Sequence, residues 1–134
     1  MTIKGLSHVS IVVPDLDAAA RKLAAAYGLS IGEIKVNAEQ GVRMAYVDLG
    51  NAKIELMEPT RADSPSGKFL ARNPKGGIHH FSLEVDSVAD AAGEWKKKGV
   101  NVLGDGTQQN VHGASIAFVH PQDFLGALVE IEEH

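Results

Sequence analysis

Four residues of metal-ligand type fall in two matched pairs along this chain. His8 and His80 each open an alternating apolar stretch, HVSIVV and HFSLEV, while Glu55 and Glu130 each lie between branched apolar neighbours, in IEL at 54–56 and VEI at 129–131. A carboxylate on the apolar hollow of a sheet is costly unless it is paired or bound to a cation. Two such carboxylates would also repel. A divalent cation removes both problems and takes neutral imidazoles as further ligands. Mixed nitrogen and oxygen ligation with open positions suits Co, Mn, Ni, Fe or Zn alike. Taken singly, a strand histidine is more often a hydrogen-bonded structural residue. A lone glutamate between apolar residues often faces solvent. Their symmetric placement favours one metal site built from His8, Glu55, His80 and Glu130.

That symmetry rests on an internal repeat. Residues 5–20 (GLSHVSIVVPDLDAAA) and 77–92 (GIHHFSLEVDSVADAA) share Gly, His, Ser, Val, Ala and Ala at a constant offset of 72. Each copy reads as a strand followed at once by a helix. Alternation puts Val9, Ile11 and Val13 on one face and His8, Ser10 and Val12 on the other. In the second copy His80, Ser82 and Glu84 form the matching polar-bearing face. Asp15 is the expected N-cap of the first helix, with Leu16, Ala19, Ala20 and Leu23 as its buried stripe and Gly28 as its stop. Ser87 with Asp90 resembles a capping box for the second, with stripe Val88, Ala91, Ala92 and Trp95 and stop Gly99.

Three further strands follow each helix: 30–36, 42–49 and 52–58, then 100–104, 115–119 and 127–132. Gly50-Asn51 is a two-residue hairpin signal. The polar, turn-rich segment 59–76 joins the halves, with at most a short helical turn at Phe69 and Leu70. The expected fold is α+β: one domain over 1–134, made of two βαβββ modules (5–58 and 77–133) with pseudo-twofold symmetry, forming a curved mixed sheet around the metal.

The bulk properties agree. The chain has 134 residues, 44% hydrophobic and 22% charged, enough for one core without staples. Cysteine is absent and the net charge is −4, which rules out thiolate chemistry and speaks against a phosphate-tracking nucleic-acid surface. Lys96-Lys97-Lys98 reads as a solvated helix end. No apolar run reaches the roughly 18 residues of a membrane span, and the start lacks a secretion signal. A soluble cytoplasmic protein is expected.

Other histidines compete for a role. By alternation His79 points to the helix side or the edge, with Ser7 as its counterpart, so His80 is preferred as the ligand. His120, followed by Pro121, reads as a strand end. His112 lies in a loop, where it is either solvated or close enough to the site to touch substrate.

The order H…E…H…E, with the segments HVSIVVPDLDAA, EQGVRMAYVDLGNAKIELMEP, DSPSGKFLARNPKGGIHHFSLEVD and HPQDFLGALVEIE, resembles the vicinal oxygen chelate (glyoxalase/bleomycin resistance) superfamily. Within it the resemblance is to the methylmalonyl-CoA epimerase family, over nearly the whole chain. His8 matches that family's first-strand ligand, and Glu55 stands where members carry Gln or Glu. His80 matches the second residue of the HH pair, and Glu130 the carboxylate of the last strand. The resemblance implies an isomerase acting on an acyl-CoA with one divalent metal, cobalt among the candidates, and a homodimer; separately, exposed sheet edges at 30–36 or 100–104 offer surfaces for pairing. It also implies C2 proton abstraction and reprotonation, with Glu130 as one acid/base. Some relatives carry a second glutamate shortly after the EQGV segment. Met44 stands at the comparable position here and cannot move a proton, which leaves Glu39, Gln40 or a water as substitutes. Lys68, Arg72 and Lys75 either meet CoA phosphates or are ordinary surface cations. The alternatives are a lactoylglutathione lyase-like enzyme, which shares metal-assisted proton transfer, and a metal-free small-molecule-binding module. A ring-cleaving dioxygenase fits less well, because it needs two histidines and one carboxylate, and Glu55 is then surplus.

Overall fold

The computed structural model describes residues 3–134. Its elements run β1 (Ile3–Val12), α1 (Leu16–Tyr27), β2 (Lys35–Asn37), β3 (Val42–Asp48), β4 (Lys53–Pro59), α2 (Pro65–Arg72), β5 (Gly77–Val85), α3 (Val88–Lys97), β6 (Val102–Leu103), β7 (Ile116–Val119), a 3-10 turn at Pro121–Asp123, and β8 (Val129–Glu133). Within each module the first strand lies beside the fourth, in the orders β1-β4-β3-β2 and β5-β8-β7-β6. The β5–β8 pair is parallel, and β2–β3, β3–β4, β6–β7 and β7–β8 are antiparallel. The fold is α+β, built from two βαβββ modules.

The chain divides into two compact units. One takes the chain through His8 and resumes from His80 to His134; the other is Val9–His79. In the second of these units Leu16, Val47 and Leu56 form the core, with Ile11, Val13, Ala19 and Leu23 packed against it. In the first, Val85, Val88, Ala91, Ala92, Val102, Ala117 and Ile131 do so, with Trp95 at the margin. Leu16, Ala19 and Leu23 of the first expected stripe and all four residues of the second are therefore among the residues that pack. Asp15 caps α1 by accepting from the Ala18 amide at 3.0 Å, and Ser87 caps α3 by accepting from Asp90 at 3.1 Å. Gly28, at φ 68°, terminates α1 in the left-handed conformation that a side chain would resist.

Both helices are anchored in the same way. Glu58 on β4 accepts from the Leu16 amide at 3.0 Å, and Glu133 on β8 accepts from the Val88 amide at 2.9 Å. Leu16 and Val88 are related by the 72-residue offset, and each anchor lies three residues beyond the expected ligand of its strand, Glu55 or Glu130. An odd separation along a strand reverses the face. One strand therefore sends one carboxylate to the helix and another to the opposite side. Glu58 also binds Arg43 at 2.8 Å.

The strands expected at 30–36 and 100–104 are shorter. Only Lys35–Asn37 and Val102–Leu103 pair as strands. Gly32 interrupts the first, contributing no side chain to pack, although its amide still reaches the Tyr46 carbonyl at 2.8 Å. Gly104, at φ 109°, turns the chain out of the second. The 59–76 segment holds more structure than a short turn. Ser64 N-caps α2 by accepting from Gly67 at 3.0 Å, with Pro65 at the first helical position. Gly76 follows at φ 86°, so close to β1 that an added Cβ would lie 2.3 Å from the Val12 carbonyl oxygen. No helix among the described residues is long and apolar enough to cross a membrane.

Removing either helix anchor should cost about 1 kcal/mol, the worth of a carboxylate hydrogen bond at a helix N-terminus. Urea unfolding of Glu58→Ala and Glu133→Ala checks this. The Glu58 variant should be the less stable, because it also leaves Arg43 without its closest partner.

Candidate metal centre

The polar face of the repeat is buried where alternation places it. His8 is 1% exposed, His80 6% and Glu130 7%. In the unit that holds these three, β1 delivers His8, β5 delivers His80, and β8 runs parallel to β5 with Ser82 in register with Glu130. Across the antiparallel β7–β8 pair Glu130 faces Phe118, whose ring lies edge-on to His80 with centroids 5.6 Å apart. The two imidazoles stand edge to face at 6.0 Å. Glu130 lies before both rings: its Oε1 is 3.5 Å from His8 Nε2 and its Oε2 is 3.9 Å from His80 Nε2.

Those separations are longer than a direct N–H···O hydrogen bond of about 2.7–3.2 Å. They are near the roughly 3–3.5 Å that separates adjacent ligand atoms around an ion with bonds of about 2.0–2.2 Å. A second sign is the Ser82 hydroxyl. It is wholly buried on the same face as Glu130 and has no hydrogen-bond partner among the described residues, a condition proteins seldom tolerate in a sealed core. The donor set and its spacing fit a divalent cation.

His8, Glu130 and Glu132 also form a buried group whose ligand atoms lie within 4.8 Å of one another. Within it the two carboxylates lie on different sides of the His8 ring. Glu130 faces Nε2, whereas Glu132 lies 3.9 Å from Nδ1. Glu132 is already engaged by Ser7, Asn110 and His134. This cluster is absent from the sequence expectation. The signal was present in VEIE, where alternation puts Glu132 on the same face as Glu130. Ser7 gave no such signal, because strict alternation sends it to the other side. It is nonetheless 8% exposed, with its hydroxyl 2.9 Å from His8 Nδ1.

Glu55 belongs to the other unit. It is 9% exposed, pairs across β3 with Tyr46, and accepts a 2.6 Å hydrogen bond from Ser10. The Ser10–Glu55 pair is the first module's counterpart of Ser82 beside Glu130. In the same unit Met44 is 5% exposed on β3, while Glu39 is exposed in the turn before it. His79 packs its ring against Phe69 of α2 at 5.2 Å. Burial, and then the Arg72 cation, lower its pKa below the ordinary histidine value. His120 caps the 3-10 turn through Nδ1, which accepts from the Gln122 amide at 3.0 Å. His112 lies exposed in the 105–114 loop, its amide bound to Asn110.

Known proteins resemble this chain over nearly its whole length. Residues 7–118 match the family described as the Glyoxalase/Bleomycin resistance protein/Dioxygenase superfamily. The ethylmalonyl-CoA/methylmalonyl-CoA epimerase of Cereibacter sphaeroides is 42% identical over 129 residues, 96% of each chain. The mitochondrial methylmalonyl-CoA epimerase of Homo sapiens is 41% identical over 128 residues, 96% of this chain and 73% of its own. Among solved structures, a variant of Streptomyces coelicolor methylmalonyl-CoA epimerase in complex with 2-nitronate-propionyl-CoA superposes with a TM-score of 0.89 at 37% identity, covering 98% of this chain and 95% of that one. This chain belongs to the glyoxalase/bleomycin resistance protein/dioxygenase superfamily and, within it, to the methylmalonyl-CoA epimerases, a family of isomerases.

Proposed function

We propose that this protein interconverts the two C2 epimers of methylmalonyl-CoA with one divalent ion held by His8, Glu55, His80 and Glu130. The observation that carries the reading is the buried Glu130 carboxylate set before two imidazole nitrogens at 3.5 and 3.9 Å, in a chain of this family. A divalent ion bound there supplies positive charge near the thioester and carboxylate oxygens that flank C2, which makes the C2 proton more acidic. The ion is Co, Mn, Ni or Zn by ligand type.

The protein's own part is to hold and move a proton. Glu130 accepts the C2 proton, and the C–H electron pair passes into the thioester carbonyl to give an enolate planar at C2. A proton delivered to the opposite face yields the other epimer. A nitronate carbon is likewise planar, so the ligand of the Streptomyces coelicolor relative resembles that enolate in shape. Met44 carries a thioether and moves no proton, so the opposite-face donor lies elsewhere. The Phe118 ring, paired across the sheet with Glu130 and edge-on to His80, lays an apolar surface beside these groups, and an apolar surrounding strengthens charge interactions.

Three outcomes are expected. In deuterated water the protein should exchange the C2 proton of methylmalonyl-CoA, seen as a one-mass-unit gain; failure to exchange would favour a different substrate, such as a glutathione adduct. Glu130→Gln should slow that exchange by about 10²–10⁴-fold, the usual worth of a positioned acid/base, and a rate within threefold of the unaltered protein would remove Glu130 from the mechanism. Treatment with a chelator should abolish exchange and added Co²⁺ or Mn²⁺ should restore it; activity that survives metal removal would leave the fold as a metal-free scaffold.

A further inference from the structure

The Nδ1 side of His8 leads into a polar chain that the proposed chemistry does not use. Ser7 Oγ lies 2.9 Å from His8 Nδ1 and 3.4 Å from Glu132 Oε1. Glu132 is 5% exposed. Its Oε2 accepts from Asn110 Nδ2 at 3.2 Å, and its Oε1 lies 2.5 Å from His134 Nε2. His134 is fixed in turn, its amide donating to the Val85 carbonyl at 3.0 Å and its own carbonyl accepting from Lys4 Nζ at 2.8 Å. All of these residues lie in the same compact unit.

The direction of the hydrogen bonds follows from what each group can do. The Ser7 hydroxyl and the Asn110 amide donate to the oxygens of Glu132. With its proton turned toward Glu132, Ser7 presents an oxygen lone pair to His8. Nδ1 must then carry the ring proton. A neutral imidazole protonated at Nδ1 is bare at Nε2, the nitrogen that faces Glu130. Glu132 is 3.9 Å from Nδ1, beyond hydrogen-bond reach, so Ser7 is the link between them.

We propose that Glu132, acting through Ser7, is a positioning residue that holds His8 in the Nδ1–H tautomer, so that Nε2 offers its lone pair to a divalent cation. The last clause rests on the proposed metal site; the tautomer does not. Partners on the far nitrogen of a ligating histidine fix its tautomer and orientation, and their loss commonly weakens metal affinity about 10–100-fold.

The test uses the metal-free protein labelled with ¹⁵N at its histidines, at about pH 8, where an ordinary imidazole is neutral. The nitrogen shifts of His8, assigned by comparison with His8→Gln, should show Nδ1 protonated and Nε2 bare. Ser7→Ala should redistribute the proton toward Nε2 and weaken Co²⁺ binding, followed by visible absorbance, by about 10–100-fold. Ser7→Thr keeps the hydroxyl and should restore both. Glu132→Gln should repeat the Ser7→Ala behaviour. An Nε2–H ring in the unaltered protein would overturn the proposal without any variant. So would a Ser7→Ala protein with unchanged tautomer and Co²⁺ affinity, even if it melts earlier, since Ser7 would then be only structural. If the unaltered protein takes up no Co²⁺, the metal reading fails, and the tautomer measurement still decides the positioning role.

Discussion

Glu130 stands 7% exposed on a central strand, with an imidazole nitrogen within 4 Å of each of its oxygens. Removing a carboxylate from water costs several kcal/mol unless its charge is met. The two imidazole nitrogens stand 3.5 and 3.9 Å from its oxygens, and the buried hydroxyl of Ser82, in register with it, has no hydrogen-bond partner among the described residues. A cation at that place would balance the carboxylate and take both imidazoles as ligands. Much of the surrounding architecture follows from keeping these groups together and dry.

The duplicated module accomplishes this with few instructions. Each first strand carries a histidine and a serine on one face and branched apolar residues on the other. Each fourth strand carries a glutamate on the polar face and, three residues later, a second glutamate that ties the helix N-terminus. Opposite faces of one strand thus connect the chemistry to the core: Val85, Val88 and Ile131 pack on the helix side, while His80 and Glu130 project away from it. A substitution that loosens α3 would therefore disturb the strands that hold the ligands, even without touching them.

Strand alternation and helix caps were legible in the amino-acid order, because each depends on neighbours two to four residues apart, and the repeat showed as identities at an offset of 72. Asp15, Gly28 and Ser87 act where those local rules place them, and His80 rather than His79 joins the buried group. The missing parts depend on distant or irregular geometry. β2 and β6 are shortened by Gly32 and Gly104, whose effect depends on how the chain bends there. α2 carried a local signal, Ser64 followed by Pro65, that was outweighed by the polar composition of the segment. Ser7 escaped because β1 departs from strict alternation at Ser7 and His8, which are both buried. Asn110 and His134 reach Glu132 from a loop and a strand end, and no periodicity marks them.

The account turns on one ion held by residues from both copies of the repeat. Crystals soaked in Co²⁺ and measured on either side of the cobalt absorption edge test it most directly. The prediction is a single anomalous peak per chain, bonded to His8 Nε2, His80 Nε2 and the carboxylates of Glu55 and Glu130. A peak held by other side chains, or none at full soak, would contradict it.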